Sequence, residues 1–187
     1  RQTSQLSAGS LAKGLAMMLR IAEKNYRIQD TFSGLTELKT NGFIHLIECD
    51  PPYGIELTEQ KRGKEEATST VRNYNEVPSE AYRGFVARLG KELYRVAGEH
   101  CWMVFWYGPT WHTEVKEALE KGGWKVDDIP AIWFKRTGQT MQPGYNLARA
   151  YEPFFLARKG SPAIYKQGRA NVFDFSPTAA AKKYHPT

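Results

Sequence analysis

Cysteine is scarce. The 187 residues hold only Cys49 and Cys101, too few for a disulfide framework or a cysteine-based zinc site. Both fall in apolar, strand-like runs and read as reduced core residues, as expected in a bacterial or phage-infected host cytoplasm. Long hydrophobic runs are lacking too: no stretch approaches the roughly 20 apolar residues that span a bilayer, and nothing near Arg1 has the layout of a signal peptide. No membrane partner is expected. Glycine and proline dominate no tract, and no segment repeats. His45, His100 and His112 show no ligand-like spacing, so no metal is expected.

What is present describes an ordinary globular chain with an unusual surface. Apolar residues make up 41% and charged residues 25%, and the length suffices for one domain with a real core. The formal charge of +6 favours a polyanionic partner, because neutralising phosphates and releasing their counterions drives much of nucleic-acid affinity. Aromatics reach 13%. They serve cores, and in a basic protein they also stack unpaired bases.

Along the chain, residues 10–24 read as a helix with Leu11, Leu15, Met18 and Leu19 on one face. A short strand is expected over Tyr26–Gln29, then a helical turn around Leu35 and Leu38. Phe43–Cys49 is apolar and β-prone, a candidate central strand buried on both faces. Residues 55–78 are polar and aperiodic, a long loop. Residues 79–97 form an amphipathic helix opened by Ser79, with Tyr82, Phe85, Val86, Leu89, Leu93 and Val96 at helical spacing. Strands are expected over Cys101–Tyr107, Trp124–Val126, Ala131–Lys135 and Tyr151–Arg158, with a helix near 111–121 closed by Gly122-Gly123. Residues 160–187 carry little periodic signal. Strands alternating with helices predict a three-layer α/β sheet.

The chemistry centres on Asp50-Pro51-Pro52-Tyr53. Two prolines cannot continue a ladder, so the strand must stop there, and ligands of open α/β sheets bind beyond the carboxyl ends of strands. An exocyclic base amine is a poor nucleophile because its lone pair is delocalised into the ring. A carboxylate (Asp50) and a fixed carbonyl (Pro51) that accept its two N–H bonds would favour the tetrahedral geometry needed for attack on a methyl donor. Tyr53 offers a face on which an extruded base can stack.

With these residues in place, the chain resembles the DNA N6-adenine/N4-cytosine amino-methyltransferases, in the circularly ordered subgroup whose catalytic motif precedes the cofactor motif. Besides the tetrapeptide, Tyr26–Asp30 is similar to the strand ending in Gly-Asp, although Gln29 replaces the Gly. Gly98–Tyr107 matches the strand after the catalytic-loop helix, and Trp133-Phe134-Lys135 matches a Trp-x-Lys strand. Asn146–Gly160 resembles an Arg-x-Tyr-Glu strand with its trailing Lys-Gly, and Lys182–Thr187 resembles the start of a His-Pro-Thr-x-Lys-Pro segment.

The resemblance implies a Rossmann-like methyltransferase sheet with helices on both faces, formed by residues 26–187 after an N-terminal helical extension, 1–25. It implies S-adenosylmethionine as cofactor, with Asp30, Asp50, His185, Pro186 and Thr187 on the cofactor side. In the family, the terminal segment leads to a glycine-rich turn that cradles the methionine moiety. This sequence stops at Thr187 before such a turn, so the chain, which starts at Arg1, reads as a piece lacking the C-terminal part of the fold.

Duplex DNA is the expected partner, with a homodimer or a restriction partner as further candidates. Lys61, Arg62 and Lys64 on the 55–78 loop, Lys135 and Arg136, and Arg149 are the candidate phosphate contacts, and Lys166, Arg169, Lys182 and Lys183 decorate the tail. The 136–148 loop holds Gln, Asn and Thr side chains suited to base edges. Adenine N6 is the expected target. Cytosine N4, a non-catalytic DNA-binding relative, and methylation of RNA or protein amines remain alternatives.

Overall fold

Helix formation is clearest where apolar residues recur at helical spacing. In the computed structural model, which describes residues 26–54, 77–140 and 142–176, the helix expected from residue 79 spans Ser79–Val96. Two helices and two strands frame the site: α1 (Thr31–Thr36), β1 (Ile44–Cys49), α2 (Ser79–Val96) and β2 (Ala97–Trp106). They are followed by a 3-10 turn (Pro109–Trp111), α3 (His112–Lys121), β3 (Lys125–Val126), β4 (Ala131–Gln139), β5 (Arg149–Lys159) and β6 (Val172–Asp174). The chain divides into two compact units, Arg1–Gly34 and Leu35–Thr187. Among the described residues, no helix is long and apolar enough to cross a membrane.

Tyr82, Val86, Leu89, Leu93 and Val96 form the buried stripe of α2, as their spacing requires. Ser79 does not cap it. Pro78 takes the N-cap position without a side-chain bond, and Glu80 supplies a negative charge to the first turn. At the other end Arg95 donates to the carbonyls of Leu38 (3.0 Å) and Leu35 (2.7 Å), and to Glu92 (2.7 Å), fastening the helix to the preceding segment. Ala97 turns extended at once, so α2 passes into β2 with no loop and the strand starts four residues before the expected Cys101.

The strands form one sheet in the order β1-β2-β5-β4-β6, with β3 paired to β5. The α2 crossover makes β1 and β2 parallel, whereas β5 runs antiparallel to both β2 and β4, so the sheet is mixed. Its two faces differ. Cys101, Met103, Phe105, Phe155 and Ala157 are fully buried on one. Two bonds tie that face to the long helices. Lys159, paired with Cys101, donates to the carbonyl of Tyr94 in α2 at 2.9 Å, and Tyr107, which follows β2, meets His112 of α3 at 2.8 Å. Trp102, Val104 and Trp106 line the other face and are only half-buried.

Three expectations need correction. β1 is not buried on both faces: it ends the strand order, and Phe43 is 95% and Leu46 65% exposed. An apolar run indicates a strand but not how many neighbours it has. Tyr26–Gln29 forms no strand and leaves Tyr26 and Ile28 exposed. Conversely, β6 forms in a stretch without periodic signal. It is held by parallel pairing to β4 and by the Trp133 indole, which donates to the Phe175 carbonyl at 2.7 Å. The helix expected over 10–24 and most of the 55–78 loop lie outside the described residues.

Candidate active site

β1 ends where its sequence says it must. Cys49 pairs in register with Phe105, which puts Asp50 level with Trp106 at the carboxyl edge of the parallel β1–β2 pair. Asp50 is exposed, Pro51 is buried, and Pro52 and Tyr53 are half-buried. The tetrapeptide is thus anchored by its first proline and presents its carboxylate outward. The Tyr53 hydroxyl donates to Asp50 Oδ1 at 2.9 Å, so the tetrapeptide folds back on its own carboxylate. Burial, helped by the negative charge of Asp50, pushes the neighbouring Cys49 thiol up to about 12.

Gly54 closes the loop at φ +60°, a conformation that costs a side-chain-bearing residue roughly 1–2 kcal/mol. Space enforces the same choice. A Cβ on Gly54 would lie 2.8 Å from the ring of Tyr82, which is fully buried and packs against Trp111 with centroids 4.9 Å apart. Three segments therefore converge behind the tetrapeptide: its own exit, the first turn of α2, and the turn after β2. Sequence reasoning took Tyr82 only for helix core and passed over Trp111. The glycine directly after Tyr53 was the available signal.

Beside this loop, Tyr107 is buried at the end of β2. Its hydroxyl meets His112 Nδ1 at 2.8 Å, and its ring stacks on Phe155 at 4.4 Å. Burial holds this phenol well above its ordinary range, so it stays neutral and serves as a fixed dipole and packing element. On the opposite face Trp106 packs on Phe154 (4.6 Å) and meets Trp133 edge-on (6.2 Å), a row of aromatics leading from the Asp50 end towards β4.

The other candidate residues fare differently. Asp30 Oδ2 accepts from the Ser33 N–H at 2.7 Å, which makes it the N-cap of α1. Lys135 is paired with Glu152 at 2.5 Å, and Arg136, at φ +63°, is held by both carboxylate oxygens of Asp174 at 2.5 and 3.1 Å. Neither cation is an idle surface charge. Arg149 is exposed where β5 begins, and Lys166 and Arg169 are exposed on the segment before β6. Lys61, Arg62, Lys64, Lys182, Lys183, His185, Pro186 and Thr187 lie outside the described residues. No group of His, Cys, Asp and Glu that could hold a metal occurs among the described residues.

The sequence matches no known protein-family profile and no curated protein. The architecture does match solved structures. It aligns with the PvuII DNA methyltransferase, cytosine-N4-specific, at a TM-score of 0.58 and 10% identity, over 81% of this chain and 57% of that one. The M1.HpyAVI–SAM complex gives 0.52 and 16%, over 82% and 65%. TTHA0409, a DNA modification methylase by its description, from Thermus thermophilus, gives 0.50 and 18%, over 81% and 66%.

The chain has an α/β, Rossmann-like methyltransferase fold.

At such identities the likeness is one of fold, and the chain spans less than two thirds of the length of each of these structures. Within the methyltransferase fold, Asp50 stands at the carboxyl edge of the sheet, where open α/β sheets bind ligands.

Proposed function

We propose that this chain is the catalytic part of an S-adenosylmethionine-dependent DNA methyltransferase that methylates adenine N6, with Asp50-Pro51-Pro52-Tyr53 as its reactive loop. The observation that carries the reading is the exposed Asp50 carboxylate at the end of β1, held by a buried Pro51 and a left-handed Gly54 within a methyltransferase fold. A strand-ending carboxylate on so constrained a loop suits a hydrogen-bond acceptor whose geometry must be set before the substrate arrives.

In this account a base swings out of the duplex and its amine meets Asp50. The carboxylate and the Pro51 carbonyl accept its two N–H bonds, which localises the nitrogen lone pair. The Tyr53 ring stacks on the base once its hydroxyl releases Asp50, and that contact helps repay the cost of unstacking. S-adenosylmethionine, when bound, supplies an electrophilic methyl group. An exposed carboxylate fits the edge between cofactor and base, and it also takes part in neutralising the amine as a proton leaves to water. Asp30, His185, Pro186 and Thr187 are proposed to line the cofactor side. For Asp30 this is a second task beside capping α1. Lys61, Arg62, Lys64, Lys135, Arg136 and Arg149 are proposed to face the DNA backbone, with Lys135 and Arg136 first loosening their ion pairs.

Cytosine N4 is the alternative target, because the same two acceptors would serve either exocyclic amine. Incubating the chain with methyl-labelled S-adenosylmethionine and unmethylated mixed-sequence DNA, then digesting to nucleosides, separates them. Label in N6-methyldeoxyadenosine is expected. Label in N4-methyldeoxycytidine would keep the mechanism and replace the target.

A further inference from the structure

The turn between β4 and β5 holds two large apolar side chains in solvent and is itself folded. Tyr145 is 92% and Leu147 93% exposed. The Tyr145 and Asn146 N–H groups donate to the Gln142 carbonyl at 3.1 and 2.9 Å, and the Asn146 amide donates to Gln142 Oε1 at 3.3 Å. The neck is tight as well: a Cβ on Gly138 would lie 2.6 Å from the Arg149 carbonyl carbon, so only glycine lets β4 and β5 approach there. Hydrogen bonds that hold apolar side chains out of the core are a cost, and such a cost suggests a partner for them.

Register shows where this tip points. Asp50 is level with Trp106, and Trp106 pairs with Phe154 on β5. From Phe154 back to Arg149 the antiparallel strand continues past the Asp50 level by about 17 Å at 3.4 Å per residue. The turn therefore stands beyond the same sheet edge that presents Asp50. That reach exceeds the depth of either DNA groove, about 8 Å, so with a base delivered to Asp50 the tip reaches the base stack itself. Charge agrees with such a partner, since residues 136–151 include Arg136 and Arg149 and no Asp or Glu.

We propose that Tyr145 and Leu147 insert into the DNA base stack and fill the gap that the extruded base leaves. This rests on the reading of Asp50–Tyr53 as the acceptor of a flipped base in duplex DNA, and adds to it the part that stabilises the emptied duplex. Apolar wedges between base steps repay unstacking in this way in other DNA-bending proteins. Neither side chain touches the proposed transfer chemistry, and both are exposed, so truncating them leaves folding intact.

The test is fluorescence-polarisation binding of the full chain to two short duplexes, one intact and one carrying a single tetrahydrofuran abasic site, which is a ready-made gap. Wild type is expected to bind the gapped duplex at least about fivefold more tightly, the worth of one base-aromatic stack. Tyr145→Ala and Leu147→Ala are expected to lose that preference while binding the intact duplex as wild type does. Arg149→Ala is expected to weaken both complexes alike. Equal wild-type affinity for both duplexes, or variants that keep the preference, would overturn the wedge and leave the DNA reading in place. Wild type that binds neither duplex would overturn both.

Discussion

Tyr53 donates its hydroxyl to Asp50 Oδ1 at 2.9 Å, so the proposed stacking residue occupies the proposed amine acceptor. The two roles are therefore exclusive at any instant, and a base must displace the hydroxyl before it can be held. Tyr53→Phe keeps the ring and removes this internal competitor. Its kcat for methyl transfer is expected to stay within about tenfold of wild type, with an unchanged or lower KM. Asp50→Asn should lose about 100- to 1,000-fold in kcat, the usual loss when one preorganised electrostatic contact is removed. Steady-state kinetics of the two variants decide it, and a Tyr53→Phe as inactive as Asp50→Asn would contradict the arrangement.

The tetrapeptide's position depends on Gly54 and Tyr82. Gly54→Ala meets both the left-handed backbone cost and the Tyr82 ring, 2.8 Å from the new Cβ. Activity should fall further than stability does, because the loop shifts while the core persists. Tyr82→Ala should cost about 3–5 kcal/mol in urea denaturation, as large aromatic truncations in cores do. Tyr82→Phe keeps the ring against Gly54 and Trp111 and should recover transfer activity. An inactive Tyr82→Phe would show that more than ring packing sets the loop.

Lys159 joins elements that the site depends on. Its Nζ donates to the carbonyls of Tyr94 and Ala97, both at 2.9 Å, and to Asn41 Oδ1 at 3.0 Å, and it lies 4.4 Å from the Tyr94 ring centroid. Replacing it with Met leaves those carbonyls short of a donor and should destabilise the fold by about 1–3 kcal/mol. Denaturant midpoints for wild type and Lys159→Met give the answer, and equal midpoints would remove the residue from the account.

Cys49 supplies a pH test. Its thiol stands near 12 in the folded chain against an ordinary 9.0. The neutral thiol is the form the fold favours, so this contribution is fully present below about pH 9 and is lost as pH rises towards 12. In that window the unfolded chain has already released the proton. Below it, native Cys49 should alkylate with iodoacetamide on the order of a thousandfold more slowly than in urea-unfolded protein, from thiolate fraction alone. Peptide mapping of the alkylated product reads the rate at Cys49, and native labelling as fast as unfolded would place the thiol in a different environment.

Much of the fold was legible because its signals are local. The periodic apolar residues of α2, the alternation around Met103 and the double proline after Cys49 each dictate structure within a few residues. Two separate sequence matches, Trp133-Phe134-Lys135 and Arg149-Ala150-Tyr151-Glu152, become one object in three dimensions: neighbouring antiparallel strands joined by the Lys135–Glu152 ion pair. What sequence left hidden is set by partners distant along the chain. β6 exists because β4 offers an edge, and β1 lies at the end of the strand order because of what its neighbours are. Ile28 lacked a partner strand and stayed irregular. In the same way, Tyr82 and Trp111 support the reactive loop from 28 and 57 positions after Gly54, a relation that no spacing rule discloses.

The most direct measurement is transfer of a labelled methyl group from S-adenosylmethionine to duplex DNA by the wild-type chain and by Asp50→Ala, with circular dichroism establishing that both are equally folded. The account predicts incorporation into DNA by wild type and its loss, by at least about a hundredfold, in Asp50→Ala. Incorporation that survives in Asp50→Ala would contradict the central claim that this carboxylate holds the reacting amine.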